Sequence, residues 1–115
     1  MFITDKKSEI WTNVCGGSGN VIVEHFLDEK LMGDALDTYA KVTLKPGCSL
    51  GNHIHDEDSE TIIVLSGNPE YDDNGTPRIL HAGDVVHCPK GERHGIGNNA
   101  QAKEDVELIA LIIKK

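Results

Sequence analysis

A basic surface is the first thing this sequence lacks. Its 115 residues hold 11 Lys and Arg against 19 Asp and Glu, a formal charge of −8. Nothing in it could form a phosphate-binding stripe, so nucleic acid is not an expected partner. Nor is there a polybasic handle for an anionic membrane. Long apolar runs are missing too: the longest reach five to seven residues, far short of the ~20 that span a bilayer. The N-terminal "MFITDKKSEI" meets Asp5 before any signal-like apolar stretch begins. The three cysteines, Cys15, Cys48 and Cys88, are odd in number and make no CxxC. They read as free thiols in a reducing compartment, so the expected location is cytoplasmic. The only arginines are Arg78 and Arg93, and neither makes an evident substrate clamp.

What the chain does have is turns. Twelve Gly and four Pro interrupt short, β-rich apolar runs. Strands are expected over 21–27, 38–44, 60–65, 78–81, 84–88 and 106–113, with one short helical turn within 28–36. Asn74-Gly75 is a strong hairpin signal, because both residues accept positive φ. Many short strands at close spacing mean a β-sandwich or a small barrel, and the length suits one domain. Two of these strands are apolar on both faces. In "VELIALII", Val106, Leu108, Ala110 and Ile112 line one face and Ile109, Leu111 and Ile113 the other; Ile62 and Val64 similarly oppose Ile63 and Leu65. A strand with one face in water should alternate apolar with polar. The second face therefore needs a cover, and sheet-to-sheet packing of a homodimer is expected to supply it.

The stretch "HIHDEDSE" holds the chemistry. Side chains at i and i+2 of a strand share a face, so His53 and His55 project together and Ile54 turns outward. "DEDS" is an acidic turn, and Glu60 opens the next strand, where hairpin pairing would return it beside the two histidines. "PKGERHG" offers His94 just after a Pro-Gly turn. Three imidazoles and one carboxylate make a good site for a first-row transition metal. As H-x-H alone, the pattern would read as two solvent-facing hairpin residues; the wider spacing decides otherwise.

From Gly47 to Gly67 the sequence reads G-x5-H-x-H-x4-E-x6-G, and from Gly83 to Asn98 it reads G-x5-P-x-G-x2-H-x3-N. These stretches resemble the two motifs of the cupin superfamily at every defining position: Gly47, His53, His55, Glu60 and Gly67, then Gly83, Pro89, Gly91, His94 and Asn98. The chain is similar to small single-domain bacterial cupins. The resemblance implies an all-β fold, a double-stranded β-helix or jelly-roll-like barrel, with one domain over 1–115 and motifs at 47–67 and 83–98. It also implies that His53, His55, Glu60 and His94 point into the lumen around one divalent metal: Mn, Fe, Ni, Co, Cu or Zn.

A divalent ion with three neutral imidazoles and one carboxylate keeps a charge near +1. Four ligands in an octahedron leave two positions for water or a chelating anion. The expected partner is a small bidentate carboxylate such as oxalate, or a 2-oxo acid, held by Lewis-acid contact. The activity implied is that of a metal-dependent enzyme on a small organic acid or sugar-derived anion. The alternative is a non-catalytic protein that binds such a ligand. No general acid or base stands out beyond the metal shell. His81 and His87 are expected in strands and at the surface, and His25, in step with Val21 and Val23, has a route to the lumen. Cys88 precedes Pro89 and is expected to be a buried small hydrophobe.

Overall fold

Alternation of apolar and polar residues sets where the strands lie, and turn chemistry sets where they reverse. The computed structural model describes residues 1–114. Its first sheet contains β1 (Ser8–Thr12), β2 (Asn20–His25), β3 (Leu36–Leu44), β5 (Ser59–Ser66), β8 (Val85–Cys88) and β10 (Val106–Ile113). Its second contains β4 (Ser49–Ile54), β6 (Glu70–Asp73), β7 (Thr76–Ile79) and β9 (Arg93–Gly97). The strand orders are β1-β2-β3-β10-β5-β8 and β4-β9-β6-β7, with antiparallel pairing throughout. This is the all-β, double-stranded β-helix expected from the motifs.

The inner faces of the two sheets make the core. Val21 and Val23 of β2, Val42 and Leu44 of β3, Val64 of β5 and Leu108 of β10 meet Tyr71 and Ile96 from the second sheet. Each fully buried aliphatic side chain of this kind contributes roughly 1.5–3 kcal/mol. The two faces of β5 separate as their parity implies. Ile62 and Val64 are 1% exposed, while Ile63 and Leu65 on the other face are 39% and 44% exposed. Ile63 stands between Ile109 and Val85 in register, so the outer face of β8, β5 and β10 holds a continuous apolar row.

Turn residues fall where their backbone needs them. Asn74 and Gly75 join β6 to β7 with φ of 50° and 98°. The expected helical turn is α1 (Glu29–Met32): Asp28 caps it by accepting from the Leu31 N–H, and Gly33 ends it at positive φ. All four motif glycines have φ between 84° and 92°. At Gly67 a Cβ would also lie 2.8 Å from the Asp105 carbonyl oxygen. The strand expected over 78–81 is β7, displaced toward the hairpin because Thr76 pairs with Asp73. His81 consequently lies in the turn after it, exposed, with its N–H donating to Asp84.

Candidate metal centre

His53 and His94 face each other across the β4–β9 ladder as register partners. His55 lies one residue past the end of β4, yet backbone bonds fix it. Its N–H donates to the Glu92 carbonyl at 2.9 Å, and the Gly91 N–H donates to its carbonyl at 2.7 Å. The H-x-H stretch is thereby tied to the turn that delivers His94. Ile54, between the two histidines, is exposed as expected.

Glu60 arrives differently from the sequence expectation. β5 does not pair with β4; it pairs with β10 and β8, where Glu60 stands opposite Ile112 and Cys88. The acidic segment 56–58 takes the chain from one sheet to the other, and the carboxylate reaches the histidines across the lumen. It has Ile62 and Val64 beneath it on the same face.

The four side chains converge. Their ligand atoms all lie within 4.8 Å of one another. His55 Nε2 is 3.0 Å from His94 Nε2 and 3.2 Å from His53 Nε2. One Glu60 oxygen is 3.1 Å from His55 Nε2 and 2.8 Å from His94 Nε2. His55, Glu60 and His94 are buried and His53 is half-buried, so His53 marks the more open side. Adjacent donors around a six-coordinate ion at ~2.1 Å stand about 3.0 Å apart. The observed separations fit that spacing, so the donor set suits a metal ion.

The far side of each imidazole is occupied by a different group. His53 Nδ1 lies 2.7 Å from the Gly51 carbonyl, a pure acceptor, so Nδ1 keeps its proton and Nε2 aims a lone pair at the centre. His55 Nδ1 lies 2.5 Å from an Asp58 carboxylate oxygen. His94 Nδ1 lies 2.9 Å from the hydroxyl of buried Tyr71, which can donate or accept. Such outer contacts fix the tautomer and orientation of metal-binding histidines. Gly51, Asp58 and Tyr71 were not singled out in the sequence. The signal for Asp58 was its place in "HIHDEDSE"; for Gly51, a Cβ would collide with the Cys15 carbonyl, which no motif reports.

Without a metal, protons and Glu60 hold the cluster together. Burial pushes the Glu60 carboxyl up, but hydrogen bonds from His55 and His94 overcome it and leave the group at about 2. The hydrogen bond to Glu60, opposed by burial and reinforced by Asp58, raises His55 to about 9. Burial lowers His53, keeping it neutral and ready to donate.

Other candidates fall outside the cluster. His87 is exposed, with Nδ1 2.8 Å from the Thr61 hydroxyl. His25 faces inward as its parity implies, but its Nε2 pairs with Glu9 at 2.6 Å beside Trp11. Cys88 is buried, and burial pushes its thiol up to about 11. Asn98 donates to the Leu44 and Glu104 carbonyls, a turn-closing role.

A profile of the cupin domain matches residues 40–112, spanning both motifs. The chain belongs to the cupin family. This cupin is 35% identical over 102 residues to an oxalate-binding protein of Thermotoga maritima, an alignment covering 89% of this chain and 83% of the relative. A crystal structure from the same organism, described as a predicted oxalate decarboxylase, superposes with a TM-score of 0.89 at 33% identity, covering the whole of both chains. A double-stranded β-helix protein of Klebsiella pneumoniae matches with a TM-score of 0.68 at 24% identity, over 82% of this cupin and 76% of that chain. That last likeness is one of fold.

Proposed function

We propose that this cupin holds one divalent transition metal on His53, His55, Glu60 and His94 and through it binds a small dicarboxylate, oxalate. The observation that supports this most is the convergence of four donors within 4.8 Å of one another, four of their six pairs at 2.8–3.2 Å. When bound, the metal supplies Lewis-acid contact to two oxygens of the ligand. The protein's own residues set the rest. Glu60 leaves the site a charge near +1, which favours an anion. The wall of Ile62 and Val64 below Glu60 keeps the lumen floor apolar, and such low-dielectric surroundings strengthen charge contacts. The oxalate-binding relative supports the ligand class.

Binding is favoured over turnover by the fate of the nearby titratable groups. Asp58 and Tyr71 are each already engaged by a histidine, and the Cys88 thiol is pushed out of range. None stands free to move a proton on a substrate. Decarboxylation is the second reading, favoured by the structural relative described as a predicted oxalate decarboxylase. Metal analysis, followed by melting curves with oxalate before and after chelation, tests the first. Oxalate should stabilise only the loaded protein; if neutral sugars shift the melt and oxalate does not, the reading is wrong. Carbon dioxide release from oxalate under Mn, Fe, Ni or Zn would move the assignment to the enzyme.

Three expectations from the sequence belong to the same reading. The chain works as one cupin unit over 1–115, it resides in the cytoplasm, and it pairs as a homodimer. The apolar row of Val85, Ile63, Ile109 and Leu65 on the outer face supports the pairing. Light scattering that finds a monomer at micromolar concentration would remove it.

A further inference from the structure

The three imidazoles share one centre but not one environment. His53 leans on a backbone carbonyl and His94 on a phenol hydroxyl; only His55 leans on a carboxylate. Asp58 is 27% exposed in its side chain and lies in the segment that crosses between sheets, so it is no part of the core. We infer that Asp58 sets the metal and anion preferences of the centre in opposite directions, strengthening hold of the metal while weakening hold of the anionic ligand. The inference rests on the reading of the four side chains as metal ligands.

The chemistry is that of an anionic acceptor behind a ligand. A carboxylate that accepts the Nδ1–H of His55 increases the electron density at Nε2, making it a stronger donor, and fixes the ring's orientation. Its negative charge also attracts the cation through a site where screening by water is reduced. Both effects tighten the metal. They act the other way on a second anion. With Glu60 as ligand and Asp58 one imidazole away, two negative charges offset the two positive charges of the ion. A dicarboxylate then meets a centre close to neutral, and a metal made less acidic by a richer donor. Counting the four ligands alone leaves the site near +1 and overstates its pull on oxalate. Asp58 is a positioning residue here: it touches neither metal nor ligand, and acts through His55.

The test uses the full chain as wild type, Asp58→Asn and Asp58→Glu. Zn²⁺ affinity is measured by competition with a chromophoric chelator. Oxalate affinity is then measured calorimetrically at saturating Zn²⁺. Asparagine keeps an acceptor oxygen and loses the charge, so the fold and the His55 contact are preserved. Zn²⁺ affinity of Asp58→Asn should fall about 10- to 100-fold, while its oxalate dissociation constant should drop roughly several-fold. Asp58→Glu should restore Zn²⁺ affinity toward wild type. Unchanged Zn²⁺ affinity in Asp58→Asn overturns the proposal, as does a loss of Zn²⁺ and oxalate affinity together. If wild type itself takes up no Zn²⁺, the metal-centre reading falls and the proposal falls with it. Zn²⁺ binding without any dependence on residue 58 removes this inference alone.

Discussion

The two ends of the lumen are built on the same strands and do opposite work. On β5, Glu60 sits at one end and Ile62 and Val64 follow on the same face. On β9, buried His94 is followed two residues later by buried Ile96. The floor, made of Val42, Leu44, Val64, Val106 and Leu108, is fully apolar and stabilises the barrel by removing surface from water. The mouth buries two imidazoles and a carboxylate beside the half-buried His53, which would be unfavourable without the Glu60 pairings and the outer contacts to Gly51, Asp58 and Tyr71. The difference teaches that the floor can be broken without touching the chemistry, and the mouth without emptying the core.

The floor should yield the largest effect. Leu108 is completely buried, and Leu108→Ala should destabilise the barrel by about 2–5 kcal/mol, through lost burial and the cavity left behind. Metal content per folded molecule should not change. Denaturant melts with metal analysis of the soluble fraction check both halves; a variant that loses metal in proportion to stability would erase the distinction between the ends.

The mouth should respond to metal instead. At free metal about 1,000 times its Kd, the loaded protein should gain about 4 kcal/mol over the metal-free form. His94→Ala should lose that increment and still melt cooperatively once metal is removed. If His94→Ala fails to fold at all, the mouth belongs to the core after all.

Acidity sharpens the comparison, because the floor has nothing to titrate. His55 is raised to about 9, so its contribution to metal-free stability is complete below its unfolded value of about 6.5 and is lost as pH rises through about 9. Glu60 is lowered to about 2, so its contribution is present above about 4.5 and is lost as pH falls through about 2. Metal binding on His55 would run the other way, since it would displace the His55 proton. Zn²⁺ affinity should rise about tenfold per pH unit between about 7 and 9, measured by chelator competition. A flat profile would mean that no proton leaves the centre. Oxalate comes next in size: near ten times its Kd it should add about 1.4 kcal/mol to the loaded protein and nothing to the metal-free one.

Most of the mouth was legible because its four donor residues fall within two short, spaced motifs. His53, His55, Glu60 and His94 were readable from H-x-H-x4-E and the P-x-G-x2-H turn, and the structure brings all four together. The route of Glu60 was not legible: a short acidic turn predicts a hairpin, and only the pairing of β5 with β10 and β8 reveals a change of sheet. β1 and β6 escaped for another reason. "SEIWT" and "EYDD" contain too few apolar residues to stand out, and their pairing with β2, and with β7 and β9, defines them. Tyr71 escaped along with β6, since nothing local in "EYDD" connects it to a histidine 23 residues later.

Tyr71 gives the smallest effect and the finest test of the boundary between the two ends, because it belongs to both. Its ring packs with the core, and its hydroxyl touches His94 Nδ1. A Glu60 oxygen lies 2.8 Å from His94 Nε2, and with the N–H on that nitrogen Nδ1 accepts from the Tyr71 O–H. A metal held on Nε2 would use that lone pair, and the proton would then reside on Nδ1 and be donated to the Tyr71 oxygen. A hydroxyl serves both states by rotating, whereas a carbonyl or an ammonium would serve one. Tyr71→Phe keeps the ring and removes the hydroxyl, leaving Nδ1 unpaired in both states. Stability should fall by about 1 kcal/mol with and without metal, and the equal losses should cancel, leaving Zn²⁺ affinity within a few-fold of wild type. Paired melts and a chelator titration decide the matter. A large loss of Zn²⁺ affinity with unchanged metal-free stability would mean that the hydroxyl serves the metal alone.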